Sequence, residues 1–505
     1  MSLFRTKSID MLVAEGSDEG SGLKRELTAV DLIALGIGAI IGAGIFATLG
    51  TATSGGGTLP PAGPGVVVSI LLTAVACGFC GLCYAEFASL VPVAGSAYTY
   101  SYATLGELVA WIIGWDLILE YAVGNIAVAI SWAAYFRQLL MGFGLEFPAF
   151  LATDYRSTLL AAKAVAGGGV GALSPEQVVA YAAHLHHPEL LGIPIVFNLL
   201  AALITGAITI LLVRGIKESA RVNDFIVVLK VATLLFFVAV GVFFVKPSNW
   251  HPFFPGGFSG VWTGASLIFF AYIGFDAIST AAEECKDPAR DMPRGILGSL
   301  AICTVLYVGA ALVLSGMIPY TKLVGVADPL AAALAYVNQG WAAGILAAGA
   351  VFSMTAVLLV FQLGQPRILM AMSRDGLIGP WFGKIHPKFR TPHVGTILTG
   401  VFVAFFSAIA NIDEIVQLTN IGTLFAFILV ALGILILRKR EPDRPRKFRV
   451  PFVPVTPILG IVMCLFLMAG LPLVTWERFV LWLLAGLVIY FAYSRGRSRL
   501  ASRPS

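Results

Sequence analysis

The stretch GIGAIIGAGIF, residues 36–46, places four glycines among otherwise apolar residues. A glycine inside a helix costs about 1 kcal/mol relative to alanine, so four of them need a physical reason. Gly38 and Gly42 have the G-x-x-x-G spacing that is typical of close helix packing. That spacing does not explain the Gly42-Ala43-Gly44 triplet, which favours a helix that unwinds here. A dinucleotide-binding fingerprint is excluded, because Ile41 stands where its third glycine would be.

An unwound helix within an apolar segment has a chemical consequence. The N–H groups at the start of its second half lose their helical partners, and the helix dipole there favours an anion. At membrane depth, such backbone is tolerated only where it is buried in protein or lines a cavity. The glycine triplet therefore predicts a binding site for a carboxylate or a similar group.

The composition indicates that this segment lies in a membrane. Of the 505 residues, 58% are hydrophobic and only 12% are charged, whereas soluble domains carry about 25% charged residues. Apolar segments long enough to cross about 30 Å of hydrocarbon recur along the whole chain. We predict twelve membrane spans, at residues 28–50, 65–90, 106–141, 192–213, 222–245, 259–284, 294–317, 341–372, 393–410, 415–437, 452–472 and 476–493. The chain is therefore predicted to be an all-α, multi-pass membrane protein.

Lysine and arginine are distributed unevenly between the two sides of these spans. The terminal segments and the loops on their side hold 26 of the 33 Lys and Arg residues. The positive-inside rule places that side in the cytoplasm, so we predict a plasma (inner) membrane protein with cytoplasmic segments at 1–27 and 494–505. Residues 1–27 have the pattern of either a weak amphipathic helix on the membrane surface or a disordered tail. Nothing in the charge pattern favours a nucleic-acid partner.

Two groups of potential metal ligands have simpler interpretations. The long outer loop, residues 142–191, contains SPEQVVAYAAHLHHPEL, which predicts a helix. We interpret its histidines as a solvated cluster and the cysteines of the second span as buried packing thiols. These residues are His184, His186 and His187, and Cys77, Cys80 and Cys83. We predict no metal site and no cofactor.

A second interrupted span strengthens the prediction of a binding site. The sixth span contains GASLIFFAYIGFDAIST, residues 264–280, with Gly274 close to Asp276. Transporters built from inverted repeats interrupt the helices that occupy corresponding positions in the two repeats. Spans one and six correspond if each repeat has five spans. We therefore predict repeats at 28–245 and 259–437, followed by two further spans at 452–493.

An ionisable side chain inside a span costs several kcal/mol and suggests a function, and four of those in the predicted spans matter here: Asp116, Glu120, Lys230 and Asp276. Lys230 and Asp276 lie at similar depth near the bilayer centre. Lys230 is either a snorkelling side chain or a fixed cation that binds and releases a proton. Asp116 and Glu120 share one helix face. They either hold a cationic side chain of a substrate, carry protons, or pair with arginine or backbone groups.

Five stretches resemble the amino acid–polyamine–organocation (APC) superfamily, and specifically the cationic amino acid transporter family with its bacterial relatives. They are LGIGAIIGAGIF (35–46), CYAEFASLVPVAGSAYTYSYATLGELVAWIIGWDLILEY (83–121), FFAYIGFDAISTAAEECKDPARDMPRGI (269–296), MSRDGLIG (372–379) and LTNIGTLFAF (418–427). The resemblance implies a LeuT-like fold of two inverted five-helix repeats plus two helices. It also implies an amino acid substrate that is moved by alternating access.

The resemblance further implies roles for particular residues. Backbone N–H groups of Gly42, Ala43 and Gly44 would bind the substrate carboxylate, with Ile40 beside them. Many relatives have threonine where this chain has Ala43, so one hydroxyl is missing from the expected pocket.

The sixth span and the charged residues complete the implied site. Carbonyls of Phe270, Ala271 and Ile273 would bind the substrate amine, and Phe270 would be the aromatic gate. Lys230 and Asp276 match residues implicated in proton coupling.

The side chain of the substrate is a separate question. Phe361, in LLVFQLGQ of the eighth span, is expected near the pocket, where it either fills the space that a long side chain needs or packs in the core. Glu120 remains available to a cationic side chain. The sequence favours proton-coupled symport of small neutral L-amino acids such as alanine over an arginine or lysine uniporter or exchanger. An enzyme or a sensor is disfavoured, because the spans lack a catalytic constellation and the chain lacks a soluble signalling domain.

Overall fold

The computed structural model of the protein describes residues 3–9, 11–12, 26–55, 59–91, 96–168, 173, 175–215 and 220–500. Within these ranges the regular elements are helices, apart from two strands of two residues each, Glu189–Leu190 and Ile193–Pro194, which form a hairpin in the outer loop.

Each of the twelve predicted spans contains an apolar helix, and we number the helices accordingly. Eight described helices are long and apolar enough to cross a membrane. They are α2 (Gly63–Leu90), α3 (Glu107–Gly142), α5 (Phe225–Phe244), α6 (Gly257–Ser279), α7 (Pro288–Met317), α8 (Gly340–Arg374), α10 (Ile412–Arg440) and α12 (Leu473–Ser494). Three shorter apolar helices are α4 (Leu199–Arg214), α9 (His393–Ile409) and α11 (Val455–Ala469). The predicted all-helical membrane fold is confirmed, whereas twelve crossings and inverted repeats stay predictions.

The first predicted span is a pair of helices with a bend of 44° between them. Helix α1a, Ala29–Ile40, ends where Ile41 adopts an extended conformation, and α1b, Gly44–Ser54, begins with a π-helical turn. The first span is thus broken at Ile41 and Gly42, next to the glycine triplet at which the sequence predicts unwinding.

Helix α6 also contains a break. Its first part, Gly257–Ile268, tightens into a 3-10 turn at Phe269–Tyr272. Ile273 is then extended, and Gly274 has a φ of +112°, a conformation that glycine adopts readily. A 3-10 segment, Phe275–Glu284, follows. The two interrupted helices predicted from glycine are both present.

Helices α3 and α6 are the most deeply buried of the long helices, and the acidic side chains predicted inside spans lie on these two helices. Around them, α7 packs against α1a and α2, α8 packs against α3 and α5, and α4 packs against α9. The elements that carry the predicted site residues therefore meet in the centre of the bundle.

The described part of the N-terminal segment packs against protein. Leu108 and Glu107 donate their N–H groups to Leu3 and Arg5 carbonyls, at 3.1 and 2.9 Å. Lys7 forms an ion pair with Asp375 at the end of α8, at 2.5 Å. Residues 5–8 are not helical, whereas Ile9 begins a helical turn in which Leu12 donates its N–H to the Ser8 carbonyl, at 3.2 Å. Ile9 and Leu12 are buried, so the described part of the predicted helix packs against protein. Most of residues 10–25 and residues 501–505 lie outside the described residues.

Helices also cover the predicted outer side. The outer loop forms helices at Tyr155–Gly168 and Pro175–Leu185, the second of which confirms the helix predicted there. All six cysteines are free and buried, as expected for packing thiols. Within the described residues, no group of three or more potential ligands is arranged to hold a metal ion.

Candidate functional site

The end of α1a is bound by two side chains from other helices. The last carbonyls of a helix lack intrahelical partners, and here Lys230 of α5 donates to the Gly38 carbonyl. Tyr307 of α7 donates its hydroxyl to the Ile40 carbonyl, at 3.1 Å. Both side chains are fully buried. A cation at a helix C-terminus is favoured by the helix dipole, so the protonated form of Lys230 stabilises this end of α1a.

Tyr307 also connects the two broken helices. Its hydroxyl lies 3.0 Å from the Ala271 carbonyl, in addition to the Ile40 carbonyl. Ile40 and Ala271 are two of the residues predicted to line the substrate site. One hydroxyl therefore holds the interrupted parts of α1 and α6 in register with each other.

The glycines of the opening motif allow close approach to four different neighbours. A Cβ atom on Gly36 would overlap Ser299 of α7, and one on Gly38 would press on Val227 of α5. A Cβ atom on Gly42 would lie 2.7 Å from Val357 of α8. One on Gly44 would lie 2.7 Å from the backbone nitrogen of Ala271. The glycines thus serve helix packing as well as unwinding.

Backbone groups of opposite polarity face the junction of α1 and α6. The Ile41 N–H donates to the Ile37 carbonyl at the end of α1a. The next N–H with a backbone partner is that of Phe46 in α1b, which donates to the Gly42 carbonyl at 3.3 Å. The N–H groups of residues 42–45 therefore precede the first hydrogen bond of α1b, as at any helix start. Across the junction, the first part of α6 ends at Tyr272, with the carbonyl end of its dipole at the break. This arrangement can bind a carboxylate and an amine at neighbouring positions.

An acidic cluster lies beside this junction. Asp276 of α6 and Glu120 of α3 are buried and interact with each other, and Tyr121 lies within reach of Asp276. Neither oxygen of Asp276 has a hydrogen-bond partner of good geometry among the described residues, and the same is true of Oε2 of Glu120. Asp116 is one turn away, where its Oδ1 faces Gly422 of α10. The structure therefore brings Glu120 together with Asp276, which sequence analysis did not anticipate.

Lys230 and Asp276 approach the end of α1a separately. Lys230 reaches Gly38, while Gly274, two residues before Asp276, packs against the Ala39 carbonyl. No ion pair joins them within the described chain.

Phe361 of α8 packs against α3 directly beside the acidic cluster. Its ring lies 5.7 Å from the Tyr121 ring, edge to face, and a Cβ atom on Gly124 would lie 3.4 Å from it. Phe361 and Phe270 are both almost completely buried. This position fits both roles predicted for Phe361. The side chain borders the predicted pocket, where it would limit the length of a substrate side chain, and it also packs in the core.

A cavity of about 160 Å³ lies on the predicted outer side, next to Thr48 and Thr51 of α1b. The outer loop covers it. Arg156 forms an ion pair with Glu414 of α10 at 2.5 Å, and Asn411 donates to the Ser157 hydroxyl at 3.1 Å. These contacts close the outer end of the molecule over α1b.

Comparison with known proteins shows the family of the chain. Residues 27–492 match the sequence model of the amino acid permease family. The chain is 49% identical over 499 residues to the branched-chain amino acid permease BcaP of Bacillus subtilis, with 99% of each chain covered. It is 45% identical over 499 residues to the methylthioribose transporter of the same organism, again with 99% of each covered. It is 36% identical over 448 residues to the vacuolar cationic amino acid transporter 4 of Arabidopsis thaliana, covering 88% of this chain and 68% of that one.

The chain therefore belongs to the amino acid permease family. This membership confirms the resemblance to the APC superfamily, and the relatives include cationic amino acid transporters, as expected. The protein is a multi-pass membrane transporter and not an enzyme.

Proposed function

We propose that this protein is a secondary active transporter that moves neutral L-amino acids, from alanine to branched-chain residues, together with protons. The observation that carries the proposal is the junction of α1 and α6. There, the N–H groups at the start of α1b face the carbonyl end of the first part of α6. A zwitterionic amino acid has a carboxylate and an amine that match these two ends. Ile40, Gly42, Ala43 and Gly44 form one side of the proposed site, and Phe270, Ala271 and Ile273 form the other.

Proton coupling is proposed to act through Lys230 at the end of α1a. The protonated lysine holds the Gly38 carbonyl, and a neutral lysine lacks the attraction between a cation and the helix C-terminus. Loss of the proton therefore loosens α1a, the half of the helix on the side of the termini. Asp276 and Glu120, as neighbouring buried carboxyl groups, offer a second place where a proton is held. The resemblance noted above supports Lys230 and Asp276 in this role.

The residues around α3 support a neutral substrate over a cationic one. Glu120 faces Asp276, and Phe361 occupies the adjacent space against Gly124. A long cationic side chain would have to displace Phe361 before it met a carboxylate. The relatives named for branched-chain amino acids support an aliphatic substrate. The relatives named for cationic amino acids make an arginine or lysine uniporter or exchanger the second candidate.

Uptake into liposomes tests both parts of this proposal. Purified full-length protein is reconstituted, and labelled L-alanine and L-leucine are offered with and without an inward proton gradient. We expect accumulation that requires the gradient and that an excess of unlabelled L-leucine abolishes. Unlabelled L-arginine and methylthioribose are the competing substrates suggested by the other relatives. Strong competition by arginine without gradient dependence would reject the proposal in favour of the second candidate.

The proposed organisation also has a topological test. Two inverted repeats, 28–245 and 259–437, with twelve crossings require both termini on the same side of the membrane. Single cysteines placed at 5 and 497 should therefore react with a membrane-impermeant thiol reagent only after cells are opened. Labelling of either position in intact cells would contradict the predicted orientation.

A further inference from the structure

A second cavity lies away from the proposed transport site, between α4 and α9. It has a volume of about 460 Å³, within the range of ordinary ligand pockets, about 300–1,000 Å³. Its walls are residues of α4 and α9, and it extends to the loop before α9. The lining residues are Gly206, Thr209, Ile210, Val213, Arg214, Phe389, Ile397, Gly400, Val401 and Ala404.

The surface of this groove is almost wholly apolar. Ile210 and Val401 are more than half exposed, at 57% and 62%. The hydroxyl of Thr209 is already engaged: it donates to the Thr205 carbonyl at 2.7 Å and accepts from Gln362 of α8 at 2.5 Å. A ligand inside the groove therefore meets methyl and methylene groups.

The groove is open beside Gly206 of α4. A Cβ atom on Gly206 would meet no heavy atom within 4 Å. Gly400, by contrast, packs closely against Thr209 and brings the two helices together there. A glycine in mid-helix costs about 1 kcal/mol relative to alanine, and packing at residue 206 does not require one. The open space is the feature that this glycine provides.

One end of the groove is basic. Arg214 lines it, and the Nζ of Lys388 lies 5.6 Å from the centre of the Phe389 ring, another lining residue. Arg390 follows Phe389 directly, and this loop is fixed to α4 by the Thr391 hydroxyl, which donates to the Val213 carbonyl at 2.9 Å. Neither α4 nor residues 380–397 contain an aspartate or a glutamate. Arg214 lies eight residues beyond Gly206, or about 12 Å along the helix.

We propose that this groove binds a phospholipid with an anionic head group, whose acyl chain lies along Gly206 and Val401 and whose phosphate meets Arg214 and Lys388. Basic pockets between membrane helices bind such head groups. An apolar channel that ends in cations at one side of the bilayer matches the two parts of this lipid. A zwitterionic lipid fits the channel but lacks the net charge that complements the basic end.

The thermal unfolding of the purified full-length protein in detergent provides the test. Dioleoyl phosphatidylglycerol should raise the unfolding temperature in a saturable manner, whereas dioleoyl phosphatidylcholine at equal concentration should not. Arg214→Gln and Lys388→Gln should each weaken the apparent affinity for the anionic lipid about fivefold, since a cation near an anionic lipid contributes about that factor. Lys322→Gln, an exposed cation at the opposite face, is the matched control and should bind like the wild type.

Gly206→Leu tests whether the lipid binds in the groove or only to basic residues at the surface. The leucine fills the open space, so the variant should remain folded but lose the response to phosphatidylglycerol. Equal responses to the two lipids, or a response to phosphatidylglycerol that survives Gly206→Leu, would overturn the proposal. Stabilisation by inorganic phosphate or glycerol phosphate alone would also overturn it. The proposal would also be overturned if the wild-type protein were a dimer in detergent and Gly206→Leu made it a monomer, because a second copy would then occupy the groove.

Discussion

Replacement of Gly44 by alanine tests the geometry of the proposed substrate site. The added Cβ atom would overlap the Cα of Ala271 and would lie 2.7 Å from its nitrogen, whereas nonbonded heavy atoms prefer about 3.5–4.0 Å. The two broken helices would have to separate by roughly 1.5 Å to restore that distance. Overpacking of this kind costs about 1–3 kcal/mol of stability. The same displacement removes a hydrogen bond to the carboxylate, a charged group, at about 1.5–3 kcal/mol.

The assay combines thermal unfolding with the concentration dependence of amino acid uptake. We expect Gly44→Ala to remain folded with a lowered unfolding temperature and to need about 10- to 100-fold more substrate, since 1.4 kcal/mol corresponds to a factor of ten. Gly78→Ala is the matched control, because a Cβ atom at this position of α2 meets nothing within 4 Å. Gly78→Ala should be as stable and as active as the wild type. Wild-type affinity in Gly44→Ala would refute the assignment of the carboxylate to this junction.

Three further predictions concern other parts of the molecule. Tyr307→Phe leaves the Ile40 and Ala271 carbonyls without their common donor, so thermal unfolding should show a loss of about 1–3 kcal/mol of stability. An unchanged unfolding midpoint would contradict the bridging role. Phe361→Ser opens space beside Gly124, so arginine should become a better competitor of alanine uptake. Unchanged competition by arginine would show that Phe361 only packs in the core. Arg156→Gln breaks the ion pair with Glu414, and thiol labelling of a cysteine at Thr51 should accelerate two- to fivefold, as expected for a partly exposed pair. Glu414 also forms an ion pair with Arg478 at 3.2 Å, so Glu414→Gln, which removes both ion pairs, should accelerate labelling at least as much as Arg156→Gln; unchanged labelling in both variants would contradict the closing role of these contacts.

The sequence predicts best those features that depend on local residue patterns. The break in α1 follows from the Gly42-Ala43-Gly44 triplet, because unwinding is a property of a few consecutive residues. The break in α6 follows in the same manner from Gly274, whose φ is positive. Helices α3 and α8, at 36 and 35 residues, are as long as their apolar patterns indicate.

Contacts between distant segments are less accessible to sequence analysis. The approach of Glu120 to Asp276 depends on how α3 and α6 pack, and no local pattern encodes it. Tyr307 has one usable signal, since a tyrosine within an apolar helix requires a partner for its hydroxyl, but the identity of that partner depends on the fold. The backbone contacts of Leu3 and Arg5 with α3 are not predicted, because a short polar segment resembles an unstructured tail.

The central claim, that Lys230 couples amino acid movement to protons, has a direct test in liposomes that contain a trapped pH indicator. Addition of L-alanine or L-leucine without an imposed gradient should acidify the interior of wild-type liposomes as the amino acid enters. Lys230→Met keeps the unbranched apolar stem and removes the cation that holds the Gly38 carbonyl. This variant should exchange internal for external amino acid without any change of internal pH. Wild-type liposomes that take up substrate with no acidification, or acidification that persists in Lys230→Met, would contradict the account.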